Sequence, residues 1–195
     1  RSQYRNQIEH LAEAAGFEYW RVQVNRDLGR VAQHGLGLIS RYTPFAVSEH
    51  KLPGRLPGRG ALIARFGTPD NNLAVVITHL ALGAGSRARQ LAAICDLVAK
   101  DRHVVIMGDT NCTASALIAD PALAASGLRV YDRPLPTFPS WRPRRGIDHI
   151  LTSPSLEISE ARVVDSVLSD HLPVHMRIGL PNTLATALNA SHAET

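Results

Sequence analysis

The sequence predicts a layered α/β sandwich, with strands outnumbering helices and helices covering the sheets. Three observations predict it. Short apolar runs of strand length recur along the chain, and segments with apolar residues at helical spacing interrupt them. No internal repeat or composition shift marks a linker between two domains. The length of 195 residues suits one compact domain that can bury a sizeable core.

Residues 3–15 carry Ile8, Leu11, Ala12 and Ala15 at helical spacing and meet Gly16, a residue that stops helices. Residues 17–24 read as a strand and residues 35–40 (GLGLIS) as a second, with the turn Arg41-Tyr42-Thr43-Pro44 behind it. Residues 61–66 and 73–80 are two more strands, separated by a turn through Gly67, Pro69 and Asn71-Asn72, which suggests a meander. In residues 86–100, Leu91, Ile94, Cys95 and Val98 share one helical face with Arg and Gln between, so an amphipathic helix packs on a sheet. Residues 103–107 read as a buried strand running into the loop Gly108-Asp109-Thr110-Asn111. A helical stretch at 115–125, a Pro-rich loop at 134–143 and strands at 147–151, 158–164 and 174–178 complete the domain, which is expected to span 1–180. From Pro181 the pattern is weak, and a frayed tail over 181–195 is expected.

The 45% apolar and 19% charged residues and the lack of single-residue tracts argue against disorder of the whole chain. The net charge of +4 favours anionic partners, although a slightly basic surface with no specific partner explains it equally well. Cys95 and Cys112 are too few for a disulfide framework or a multi-Cys zinc site and read as buried free thiols. No apolar run approaches the roughly 18 residues of a membrane-spanning helix, so no stable membrane insertion is expected. The chain opens at Arg1 without a signal-peptide pattern and without a Met, which suits a leader or longer segment having preceded it.

Four segments place a polar residue at the end of a buried-strand pattern: Ile77-Thr78-His79-Leu80, Met107-Gly108-Asp109-Thr110-Asn111, Gly146-Ile147-Asp148-His149-Ile150 and Ser169-Asp170-His171-Leu172. Singly each is weak, because His or Asp at a strand end is commonly a turn residue. The set in this order carries the signal. A serine hydrolase would need a nucleophile elbow, which is absent. A dinuclear metallohydrolase would need clustered His and Asp, whereas His79 stands alone between Thr78 and Leu80.

In these motifs the sequence resembles the endonuclease/exonuclease/phosphatase superfamily, over residues 16–178. The resemblance extends to GLGLISRYTP, the helix with Arg87, Arg89 and Gln90, and Thr137-Phe138-Pro139-Ser140-Trp141 leading through Arg142-Pro143-Arg144-Arg145 into the Asp148 strand. It implies two mainly antiparallel sheets flanked by helices and a metal-dependent phosphoester hydrolase, a phosphodiesterase or nuclease in particular. It also implies Mg2+ or Mn2+ as cofactor and a nucleic acid, phospholipid headgroup or inositol phosphate as substrate. By the same resemblance Asp109 positions or deprotonates the attacking water and Asn111 orients it. Asp148 and His171 form an Asp/His pair at the phosphate, His79 is a second phosphate-facing imidazole, and Asp170 is a metal ligand. Thr110 departs from the family, which usually has an aromatic there; the change touches packing more than chemistry.

Trp141 beside Arg144 and Arg145 offers stacking and phosphate contacts at the mouth of the site, and the plain alternative for Trp141 is a cap on the core edge. His149 adjoins Asp148 on a strand, faces the other way and reads as structural. His34, His50, His103 and His175 lack motifs and are expected at surface or turn positions.

The family opens with a strand carrying an Asn and a second strand ending in Gln-Glu, and neither precedes residues 3–15 here. Glu9 and Glu13 lie on one exposed helical face and do not take over the Glu's role. The resemblance therefore implies a domain that is N-terminally incomplete. It would be part of a longer chain, completed by strands of a partner chain, or a variant without its metal. The last would be a non-catalytic module binding a phosphate ligand or a protein through a degenerate site.

Overall fold

Alternating strand residues feed two hydrophobic cores, one on each face of a central sheet. The computed structural model describes residues 6–27, 29, 33–54, 58–166 and 168–193. In β4 (Gly60–Thr68), Ala61 and Ile63 enter one core while Ala64 and Phe66 enter the other. The same division separates Ala74 and Val76 from Leu73 and Val75 in β5 (Asn71–His79), and Val104 and Ile106 from Val105 and Met107 in β6 (His103–Asp109). With β3 (Ala46–Lys51), β7 (Arg129–Val130) and β8 (Asp148–Thr152), these strands form one sheet in the order β3-β4-β5-β6-β8-β7. Only β5 and β6 pair in parallel within it, and α2 (Ala84–Val98) makes the crossover between them.

Helix α2 covers the first face through Leu91, Ile94 and Val98, joined by Leu117 of α3 (Ala114–Ile118) and Leu123 of α4 (Pro121–Ser126). The expected helix at 115–125 is thus two short ones, because Asp120 caps the backbone amides of Ala122 and Leu123 and Pro121 opens a new helix. The second face meets two antiparallel ribbons, β1 (Tyr19–Asp27) with β2 (Gln33–Ser40), and β9 (Glu157–Val163) with β10 (Val174–Gly179). Leu38 and Ile178 reach the second core from these ribbons. Helix α1 (Gln7–Ala15) precedes β1, capped by the Asn6 side chain and ended by Gly16 in the left-handed region; the start of the expected helix at 3–5 lies outside the described residues.

The α/β sandwich stands, and two elements correct the sequence reading. Instead of a frayed tail, α5 (Asn182–Ala193) packs on β4 and β5 and buries Leu184 and Leu188 in the second core. Their spacing of four puts both on one face, enough to dock the helix although small residues fill the rest. His103, expected at a surface or turn, is instead buried at the start of β6, with Nδ1 2.7 Å from Ser155 Oγ.

Candidate active site

Three strands of the central sheet end together, and each ends on a residue from the predicted set. His79 closes β5, Asp109 closes β6 and Asp148 opens β8. In register, His79 is the partner of Asp109 and Asp109 the partner of Asp148, so the ladder itself lines the three up. Gly108 permits this approach: it sits at φ +144, and a Cβ there would lie 1.8 Å from the Thr78 carbonyl oxygen.

His79 Nε2 stands 3.2 Å from Asp109 Oδ2. The other carboxylate oxygen accepts the Asn111 backbone N–H at 2.9 Å. Asn111 takes a left-handed conformation at φ 53, which Asn tolerates better than most residues, and its side-chain NH2 donates to the Leu80 carbonyl at 2.8 Å. Thr110 between them is buried and hydrogen-bonds the Ile147 carbonyl through both N–H and Oγ1, tying the loop to the start of β8. Burial pushes the Asp109 carboxyl up, but the His79 and Asn111 hydrogen bonds and the His79 and His171 charges outweigh it and hold it below the ordinary carboxylate range.

The second pair faces the first. His171 Nδ1 lies 2.8 Å from Asp148 Oδ2, and the Thr137 hydroxyl donates to the same oxygen. The Phe138 ring lies against the imidazole, centroids 4.8 Å apart, and the Leu172 N–H donates to the Thr137 carbonyl, so the segment carrying His171 is bonded to the loop that supports Asp148. Burial lowers the proton affinity of His171; the bond and charge of Asp148, with the charges of Asp109 and Asp170, reverse that and raise it above the usual imidazole value.

Asp170 is exposed, with Oδ1 accepting from the Ser169 hydroxyl at 3.1 Å and its carbonyl accepting the Ser140 N–H at 2.8 Å. Among the described residues no three His, Cys, Asp or Glu side chains converge to hold a metal ion, so these donors do not by themselves fit a divalent cation. Trp141, Arg144 and Arg145 are exposed on a loop closed at its base by reciprocal hydrogen bonds between Phe138 and Arg145. At 72% exposed, Trp141 does not cap the core. His149 points to the opposite face, buried with Nε2 3.0 Å from the Cys112 carbonyl, and burial pushes its proton affinity down.

One residue beside this group carries no motif. Arg59 immediately precedes β4, half-buried, where burial depresses its guanidinium and the Asp109 carboxylate opposes that. Its signal in the sequence is an arginine between Gly58 and Gly60 at the head of an apolar strand, where burial makes a charge unexpected.

The fold recurs in solved structures. An endonuclease/exonuclease/phosphatase from Beutenbergia cavernae superposes with a TM-score of 0.72 at 23% identity, over 91% of this chain and 58% of that one. The mannosyl-6-phosphatase Bt3783 of Bacteroides thetaiotaomicron gives 0.67 at 17% identity, over 89% of this chain and 81% of that one. The human Nocturnin catalytic domain with bound sulfate anion gives 0.70 at 15% identity, over 93% and 78%. This chain therefore spans less than two thirds of the Beutenbergia protein. No curated protein matches the sequence. A model of the Endonuclease/Exonuclease/phosphatase family matches residues 3–171, and the chain belongs to that family.

Proposed function

We propose that this chain is the phosphoester-cleaving domain of a metal-dependent hydrolase, a phosphodiesterase or nuclease in particular. The observation that carries the reading is the meeting of two His–carboxylate pairs, His79–Asp109 and Asp148–His171, at the ends of three hydrogen-bonded strands. Phosphoester hydrolysis needs a positioned water and positive charge at the phosphoryl oxygens. Asp109, kept ionised, accepts a proton or a hydrogen bond from the water, with the neighbouring Asn111 as orienting group. Asp148 takes the Nδ1–H of His171, which turns Nε2 toward the phosphate and favours the protonated, charge-stabilising form. His79 supplies a second imidazole, and Trp141, Arg144 and Arg145 bind the rest of the substrate.

The chemistry that Mg2+ or Mn2+ would supply here is positive charge for the phosphoryl oxygens and a more acidic water. Asp170 offers it a hard oxygen, and further donors beyond the described set are required. Nucleic acid, phospholipid headgroups and inositol phosphates share the phosphate this site would recognise, and loops choose between them. One structural neighbour is named a mannosyl-6-phosphatase and another carries a bound sulfate anion, which is in keeping with a phosphate-type ligand for this fold. No helix among the described residues is long and apolar enough to cross a membrane.

The incomplete cation set favours a second reading, a metal-free module that binds a phosphate ligand or a protein without cleaving anything. The two separate in one experiment. Mg2+ and Mn2+ are titrated calorimetrically into this chain and into a version extended N-terminally by the family's opening strands, and both are assayed on an aryl phosphodiester with Asp109→Ala and His171→Ala beside them. Metal binding and turnover that both substitutions abolish support the hydrolase. Neither binding nor turnover in either form leaves the binding module.

A further inference from the structure

We propose that Arg59 is a phosphate-binding residue of this site, bonding a non-bridging oxygen of the group that His79 and His171 approach from the other side. The inference rests on the phosphate-binding reading above. It begins with place: Ala61 is the register partner of Thr78, and the Thr78 hydroxyl donates to the Gly60 carbonyl at 2.9 Å, so the backbone just ahead of β4 runs beside the end of β5 that carries His79.

That backbone is held on three sides. The Leu52 N–H donates to the Arg59 carbonyl at 3.0 Å. The fully buried Gln90 amide bridges the two loops, accepting from Ala81 N–H at 2.8 Å and donating to the Pro53 carbonyl at 2.9 Å. Gly60 is seated on the amides of β1, where a Cβ would fall 2.2 Å from Asn25 Oδ1 and 2.5 Å from Gln23 Nε2. A fixed main chain limits what the side chain can reach.

The guanidinium is half-buried yet closes no hydrogen bond or ion pair among the described residues, within reach of the Asp109 field but outside contact with its carboxylate. Arg65, on β4 itself, is locked through Nε and Nη2 to the two carboxylate oxygens of Asp101. A partly desolvated cation with no counter-charge in contact is costly, and a phosphate removes that cost with the geometry a guanidinium fork matches best.

The test is calorimetric titration of inorganic phosphate into the wild-type chain, Arg59→Ala, Arg59→Lys, His171→Ala and, as a control on an exposed arginine of β9, Arg162→Ala, with melting temperatures for each. Loss of one charge-assisted contact should weaken phosphate about tenfold or more in Arg59→Ala. Arg59→Lys should restore part of the affinity, Arg162→Ala should leave it unchanged, and the melting temperature of Arg59→Ala should stay near wild type. Phosphate affinity within about twofold of wild type in Arg59→Ala, with His171→Ala clearly weakened, would overturn the role of Arg59 and leave the site reading intact. A wild-type chain that binds no phosphate would remove the site reading, and this proposal with it.

Discussion

His79 and Asp109 are register partners at the ends of the parallel strand pair, and His79 Nε2 lies 3.2 Å from Asp109 Oδ2. Their approach is set by backbone ladders, with a glycine between Met107 and Asp109 keeping the strands close. The Asp148–His171 pair is built differently, from a strand and a loop that Thr137, Phe138 and Ser140 hold together.

Asp148→Asn keeps the size of the side chain but takes the negative charge from beside His171 Nδ1. In an active form, turnover should fall about 10- to 100-fold. The His171 titration followed by NMR should move to lower pH, because the bond and charge of Asp148 are the main influences raising it. An unchanged titration would show that Asp148 does not govern that imidazole.

His171 and Asp109 give stability opposite dependences on pH. The folded His171 value is raised, so its contribution is complete below the unfolded imidazole pKa and is lost as pH rises through the folded one. The folded Asp109 value is lowered, so its contribution is present above the unfolded carboxyl pKa and is lost as pH falls through the folded one. The stability difference between wild type and His171→Ala, from urea unfolding, should therefore be larger below the unfolded imidazole pKa than above the raised folded one.

Gly108→Ala and Gly127→Ala place the same methyl group at positive φ with very different outcomes. At Gly108 the methyl would strike the Thr78 backbone, and no side chain can give way. A loss of about 3 kcal/mol or more is expected, enough to compromise folding. At Gly127, the end of α4, nothing lies within 4 Å of the added atom, and the loss should be about 1 kcal/mol, the cost of the left-handed conformation alone. Urea midpoints for the two variants make the comparison.

Leu184→Ala tests whether α5 belongs to the domain. Leu184 is fully buried against the second core, and its truncation should destabilise the chain by about 2–5 kcal/mol. An unchanged unfolding midpoint would return residues 182–193 to the status of a dispensable tail.

The central strands and the chemical residues were legible because they combine two signals: an apolar run buried on both faces and a polar residue where the run stops. β3 lacks both, since Ala46–Lys51 is an edge strand with polar residues at four of its six positions. α5 carries only two leucines among small residues, too thin a stripe to predict a docked helix before its partners on β4 and β5 are known. Arg59 has only a faint local signal, an arginine between two glycines ahead of an apolar strand, and its nearness to Asp109, fifty positions later, emerges only in the fold. Asp170, expected as a metal ligand, is exposed, and among the described residues no group of three His, Cys, Asp or Glu side chains gathers around a cation position.

The alignment of His79, Asp109 and Asp148 on adjoining strands also determines how the chain would fail. A centre assembled from loops can melt while its scaffold persists, leaving an inactive but folded protein. Here the ladder between β5, β6 and β8 is at once the innermost part of the sheet and the frame of the chemistry, so the frame cannot be dismantled without opening both cores. Loss of the His79–Asp109–Asp148 alignment and loss of the fold should follow one curve, and amide exchange at these three strands should report the lifetime of both.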